Sequence, residues 1–215
     1  MLLKKLIINT PFTYHKKKIS GLSIDSRDVK KNNLFFSLEK NKIKRDKYIK
    51  DALKKGAIVI TSYKYILKEN VIRVDKKKIT TLLAYACQKF FRKKPKNIIA
   101  VTGTNGKSSV ADIFRQLLCL NHVPVASIGT LGIYINSKKK ESNLTTPDII
   151  TLHKTLQKIK KKGIENVIIE TSSHGLKQGR LNGIYFNIGI FTNFSRDHLD
   201  YHKSIKEYFN SKMLL

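Results

Sequence analysis

Tryptophan is absent from these 215 residues, and cysteine and methionine occur only twice each. Two cysteines, Cys87 and Cys119, leave no room for a disulfide framework, and neither has a metal-ligand spacing. Both fall in helix-patterned stretches and read as buried thiols of a reducing compartment. Long apolar runs are missing too. The stretch Met1–Ile8 is broken by Lys4 and Lys5 and is too short for a signal segment or a membrane span. A cytoplasmic protein with no membrane partner is expected. Acidic residues are scarce: 15 Asp and Glu against 43 Lys and Arg leave a formal charge of +28. Such a charge would normally point to nucleic acid. Arginine, however, stands only at positions 27, 45, 73, 92, 115, 180 and 196. Base reading favours Arg forks and clustered aromatics, and neither pattern is here. The lysines collect in runs such as 16–18, 76–78 and 138–140, which read as solvated loops, and the Lys, Ile and Asn excess resembles drift in an AT-rich genome. No specific nucleic-acid partner is expected.

What is present suffices for a core: 41% of the residues are apolar, and the length allows one large domain or two small ones. Residues 19–75 alternate short apolar runs with polar turns. Strands are expected at Ile19–Ile24, Leu34–Leu38, Ala57–Thr61 and Val71–Val74, with helices at Tyr48–Lys55, closed by Gly56, and at Ile79–Phe91. The basic, proline-containing segment Arg92–Lys96 marks a boundary, giving domains 1–95 and 96–215. Beyond it the pattern becomes strand 97–102, helix 108–120, strand 123–128, helix 148–162, strands 166–171 and 186–192, and helix 204–215. Strands alternating with helices predict an α/β fold with a doubly wound, mostly parallel sheet.

Thr102-Gly103-Thr104-Asn105-Gly106-Lys107-Ser108-Ser109 lies between the strand and helix that open this second half. Strand, glycine turn and helix together place backbone N–H groups and a helix N-terminus around a phosphate chain. Lys107 could reach the β- and γ-phosphates and the Ser108 hydroxyl could ligate Mg²⁺. A nucleoside triphosphate site is therefore expected over Gly103–Ser109, although Val101 stands where the common pattern has its first glycine. An ordinary strand-to-helix loop is the bland alternative.

Two further polar clusters end strands of the same sheet, where ligands of doubly wound folds bind. Glu170 follows the apolar run Val167–Ile169 and could hold Mg²⁺; it could equally be a turn or capping acid. His198, in Thr192-Asn193-Phe194-Ser195-Arg196-Asp197-His198, is a candidate metal ligand or a hydrogen-bonded structural histidine. Arg180, one of few arginines, suits a bidentate phosphate or carboxylate, or else a surface ion pair.

Gly103–Ser108, Leu144-Thr145-Thr146-Pro147-Asp148, Glu170-Thr171-Ser172-Ser173-His174-Gly175-Leu176, Gln178-Gly179-Arg180 and Phe191 through His202 stand in an order that closely resembles the Mur ligases. The branch resembled acts on UDP-N-acetylmuramoyl-L-alanyl-D-glutamate. Asp25-Ser26-Arg27 and Asn33–Phe36 resemble its N-terminal, UDP-binding domain. Folylpolyglutamate synthetases share the glycine turn but are not expected to share the two later segments. The resemblance implies ATP- and Mg²⁺-dependent amide formation in peptidoglycan precursor synthesis. A carboxylate of the nucleotide-linked dipeptide becomes an acyl phosphate, and the amine of diaminopimelate or lysine displaces phosphate. It implies that Lys107 serves the phosphoryl group, that Ser108, Glu170, His198 and Lys212 hold metal, Lys212 as a carbamate, and that Ser26, Thr145, Thr146, Ser172, Gln178 and Arg180 contact substrate. A monomer is expected.

Three departures accompany the resemblance. Ser108-Ser109 replaces the usual Thr-Thr. The segment Lys40–Tyr48 lacks the small residues usual in the family's uridine-side loop. The sequence stops at Leu215, inside what the resemblance implies is the central domain. The stretch by itself is expected to bind nucleotide or UDP-substrate without forming the amide, and a non-catalytic fragment is the alternative reading.

Overall fold

Four short apolar runs in the first ninety residues pair side by side as parallel strands in a computed structural model, which describes residues 1–8, 11–65, 69–141 and 144–215. They are β1 (Gly21–Ser23), β2 (Asn33–Ser37), β3 (Ile58–Thr61) and β4 (Val71–Arg73), in that spatial order. The middle strands β2 and β3 are buried throughout, as a parallel strand covered on both faces must be. Helix α1 (Lys42–Lys54) starts six residues earlier than the apolar pattern predicts. Asn41 caps it, its side chain accepting from the Lys44 N–H at 3.2 Å, so that most of the segment expected as a loop at Lys40–Tyr48 is helix. Ile49 and Ala52 of α1 pack with Phe35, Val59 and Val71. Helix α2 (Ile79–Phe90) completes this unit, Met1–Phe90.

The second compact unit, Phe91–Leu215, is built on β5 (Asn97–Thr102), α3 (Lys107–Leu120), β6 (Val125–Gly129), β7 (Gly132–Ile135), β8 (Lys138–Lys140), α4 (Ile149–Lys161), β9 (Asn166–Glu170), α5 (Ser173–Lys177), β10 (Ile188–Phe191) and α6 (Ile205–Lys212). The sheet order is β10-β5-β9-β6-β7-β8. The first four strands are parallel, and β7 and β8 turn back antiparallel. Lys138–Lys140 is thus not the expected loop. It is an exposed edge strand, where lysine side chains stay in water and discourage pairing with another chain. Ile98, Val167 and Ile169 of the central strands pack against Leu152, Leu156 and Ile159 of α4, while Ile99, Val101 and Ile168 meet Ala111 of α3. Of the two cysteines, Cys87 is buried as expected, whereas Cys119 on α3 is only half-buried. Among the described residues no helix is long and apolar enough to cross a membrane.

Candidate functional site

The carboxyl ends of β5, β9 and β10 lie next to one another, so the loops that follow them share one rim of the sheet. After β5 the backbone turns through Gly103 (φ +147°) and Gly106 (φ +80°). A side chain at Gly103 would be strained and would run into the Thr192 hydroxyl. The loop is tied to the segment after β10. Thr104 N–H donates to Asn193 O at 3.0 Å, Asn105 N–H to Asn193 Oδ1 at 2.9 Å, and the Thr192 hydroxyl to Asn105 O at 2.6 Å. The Thr104 hydroxyl accepts from Ser195 N–H and lies 3.2 Å from the Tyr208 hydroxyl.

Helix α3 begins at Lys107 with Gly106 as its cap, and among the described residues no side chain caps its first amides. Those N–H groups and the helix dipole are left for an oxygen-rich anion. Two ammonium groups converge beside them. Lys107 Nζ donates to Gly103 O at 3.0 Å and Thr104 O at 2.7 Å, and Lys212 Nζ donates to the same Gly103 O at 2.6 Å. Burial lowers both amines, against the pull of Asp197, with the Lys107 charge adding to the effect on Lys212, which is brought down to about 8. Lys212 is 2% exposed, and its ammonium lies over the Tyr208 ring. Two ammonium groups meeting at one carbonyl, with no carboxylate among the described residues bonded to either, suit an anionic ligand such as a triphosphate.

Glu170, at the end of β9, is 2% exposed. A carboxylate is costly there unless its oxygens are paired. Its Oε2 accepts from the Ser108 hydroxyl at 2.8 Å and from the Thr130 hydroxyl at 3.1 Å, and its Oε1 from Thr130 N–H at 3.0 Å. Gly129 makes room: a Cβ there would strike the carboxylate. Ser108 and Glu170 present hard oxygen donors side by side beneath the uncapped helix, a donor set that fits Mg²⁺. Among the described residues no three His, Cys, Asp or Glu side chains group as a metal centre. His198 does not join Glu170 in such a group. It has φ +52° and an exposed ring, packed edge-on to His174 with centroids 5.0 Å apart and near Tyr208 at 6.0 Å.

The remaining sequence-predicted residues of this unit form one network with Glu170. The Thr145 and Thr130 hydroxyls are 2.9 Å apart. The Thr146 hydroxyl donates to Glu170 O at 2.9 Å and accepts from Ser172 N–H at 3.0 Å. Thr146 is 1% exposed, so its hydroxyl orders the rim and is not open to a ligand. Arg180 Nη1 donates to Thr146 O at 2.7 Å, while its Nε and Nη2 grip Gln178 Oε1 at 2.9 and 2.6 Å. Gln178 Nε2 in turn donates to the Tyr201 hydroxyl at 3.1 Å. Ser26 belongs to the other unit. It is buried in a turn in which Asp25 binds the Arg27 guanidinium, holding the Asp25 carboxyl below its usual range, and Lys55 donates to the Ser26 and Arg27 carbonyls at 2.8 Å each.

Sequence reasoning missed Thr130, Asn193, Asp197 and Tyr208. The last three lie inside or just after the segment that supplied His198, and Thr130 follows the glycine that Glu170 requires. It also missed His202, which is fully buried with Nε2 3.0 Å from the Ser173 hydroxyl and tethers α5 toward α6.

The family model for the Mur ligase middle domain matches residues 101–215. A UDP-N-acetylmuramoyl-L-alanyl-D-glutamate--2,6-diaminopimelate ligase of Rickettsia montanensis is 42% identical over 208 residues, covering 94% of this chain and 43% of that protein. The ligase of the same name from Brucella melitensis is 39% identical over 202 residues, covering 92% and 41%. A solved structure bearing the same ligase name superposes with a TM-score of 0.85 at 29% identity, over 100% of this chain and 44% of that one. A MurF ligase from Thermotoga maritima, solved with ADP, shares the fold at a TM-score of 0.57 and 18% identity, over 90% and 42%. The chain spans less than half the length of the curated relatives it matches.

Proposed function

The chain belongs to the Mur ligase family, and from that premise we propose that it forms the UDP-substrate and ATP-binding part of a cytoplasmic ligase of peptidoglycan precursor synthesis. The reaction joins diaminopimelate or lysine to UDP-N-acetylmuramoyl-L-alanyl-D-glutamate, by way of an acyl phosphate. The observation that carries the reading is the meeting, on one rim, of an uncapped α3 N-terminus, the half-buried Lys107 and buried Lys212 on Gly103 O, and the Ser108–Glu170 pair.

In this reading Gly103–Ser109 wraps the triphosphate. Lys107 stabilises charge as it builds on the transferring phosphoryl group, which needs cations and fixed donors more than a protein nucleophile. Ser108 and Glu170 would hold one Mg²⁺, and His198 with Lys212 would help hold a second; the metal neutralises phosphate charge when bound. Lys212 suits conversion to a carbamate. Its amine, lowered to about 8, is neutral often enough near pH 7 to attack carbon dioxide, losing one proton and becoming an oxygen donor. Arg180 and Gln178 have planar, fork-shaped groups facing each other and would orient the substrate's carboxylate, with Thr145 and Ser172 beside them. Thr146 holds the backbone under them.

Residues 1–90 would take the nucleotide end of the substrate, at the Ser26 turn and in a cavity of about 440 Å³ beside β2 and α1. Calorimetry tests the substrate assignment. The dipeptide-bearing nucleotide should bind more tightly than UDP alone, and Arg180→Ala should remove most of that difference while leaving UDP binding unchanged. Equal binding of the two nucleotides would contradict it.

A further inference from the structure

We propose that Arg45 is a positioning residue: it fixes the Leu38–Lys40 wall of the cavity in the N-terminal unit and so sets which pyrimidine that cavity accepts. The proposal rests on the reading that this cavity takes the nucleoside end of the substrate. Its wall includes Phe35, Leu38, Glu39, Lys40 and Tyr48.

Arg45 is 5% exposed, unusual for the residue type. Burying a guanidinium is costly, and the ordinary compensation is a carboxylate in bidentate contact. Here the nearest carboxylate, Asp46, lies 3.6 Å from Nε, beyond hydrogen-bond distance, and among the described residues Nε has no hydrogen-bond partner. The guanidinium instead lies over the face of Tyr63, 4.0 Å from the ring centroid, and Nη1 donates to the Lys40 carbonyl at 3.2 Å. A second cation, Lys76 Nζ, stands 5.7 Å from the same ring centroid.

One of these contacts ends on the cavity wall, at Lys40, and the other on Tyr63 beyond it. Tyr63 follows β3, its N–H donating to the Thr61 hydroxyl at 3.3 Å. Lys40 is in the wall. The neighbouring Asn41 donates its N–H to Glu39 Oε1 at 2.9 Å and caps α1 with its side chain. Arg45 therefore cross-links the wall to the end of β3, in a segment that has no glycine to give it an intrinsic turn. What the sequence lacks in small residues at Lys40–Tyr48 is replaced by a helix that begins at once and an arginine that reaches back. Uracil and cytosine present opposite donor and acceptor patterns at ring position 3 and its neighbouring exocyclic group. A wall of fixed polar groups rejects the wrong pattern because it leaves buried groups unpaired, whereas a wall that can move accommodates both.

The test is calorimetric titration of the chain with UDP and, separately, with CDP, at matched salt. Native protein should prefer UDP. Arg45→Met and Tyr63→Ala should each weaken UDP by about tenfold, on the order of the one cation–ring contact that both remove, and weaken CDP much less, so the preference narrows. The double variant should be no worse than either single one, because both remove one anchor. Arg45→Lys, which keeps the charge but not the fork, should recover only part of the preference. Lys47→Met, an exposed lysine of the same helix, should behave as native protein. ATP affinity, read at the other unit, should hold in all of them. An unchanged UDP-to-CDP ratio in both disruptive variants, or a parallel loss of both nucleotides, would overturn the positioning role alone. Native protein that binds neither pyrimidine nucleotide would overturn both this inference and the reading of the cavity.

Discussion

Glu170 shows how closely the site is built around single atoms. Its carboxylate is buried, receives a hydroxyl from Ser108 and both groups of Thr130, and occupies the space above Gly129. Gly129→Ala should therefore push the carboxylate off Ser108. With hydrogen bonds to a charged group worth about 1.5–3 kcal/mol, the Mg²⁺-dependent part of ATP affinity should fall by about tenfold or more, while binding without Mg²⁺ changes little. Calorimetry with and without the metal checks this. A Gly129→Ala variant with native Mg²⁺ dependence would remove Glu170 from the metal site. Lys212 yields a second prediction at this scale. Buried and lowered to about 8, it should take up labelled carbon dioxide. A ¹³C carbamate resonance is expected in protein equilibrated with ¹³C-bicarbonate and absent from Lys212→Arg; identical spectra would sink the carbamate.

Among the elements, α4 carries a pH sensitivity that is unrelated to phosphate chemistry. His153 is fully buried, its Nε2 donates to Asn182 O at 3.0 Å, and among the described residues Nδ1 has no hydrogen-bond partner. Burial, with Lys94 nearby, pushes it down to about 4 from 6.5. The unfolded chain thus binds a proton between those values that the folded chain refuses. Stability from this group is complete above pH 6.5 and is lost as pH falls toward 4, by up to about 3 kcal/mol at 1.36 kcal/mol per unit. His153→Gln, which can still donate to Asn182 O, should flatten that part of a denaturant-midpoint profile; an unchanged slope would contradict the assignment. The elements also show what could be read in advance. β5, α3, α4 and β9 were legible because apolar period, cap and glycine agree over at least five residues. The start of α1 was not, because its first turns are lysines and the signal is one capping side chain, Asn41. β8 is three lysines whose strand character comes from pairing with β7, and α5 is too short to show a helical period. In the site, the motifs located Lys107, Glu170, Arg180 and Lys212. They gave no sign that Thr146 is spent on backbone or that Thr130 and Tyr208 complete the network, since those roles arise from contacts between segments distant in the chain.

At the scale of the whole molecule, a charge of +28 sits mostly on lysines outside the network described above. It should give weak nucleic-acid binding whose affinity falls steeply as salt rises, with no sequence preference. Tight, sequence-dependent binding at physiological salt would show that the charge has a specific use. The central claim concerns the second unit instead: the rim formed by β5, β9 and β10 is a Mg-ATP site whose loop is Gly103–Ser109. The most direct measurement is calorimetric titration of the native chain and of Lys107→Ala with ATP and Mg²⁺ at matched salt. The account predicts saturable binding by the native chain and a loss of about tenfold to a hundredfold in the variant, the worth of one charge-assisted contact. Equal ATP affinity in the two proteins would contradict it.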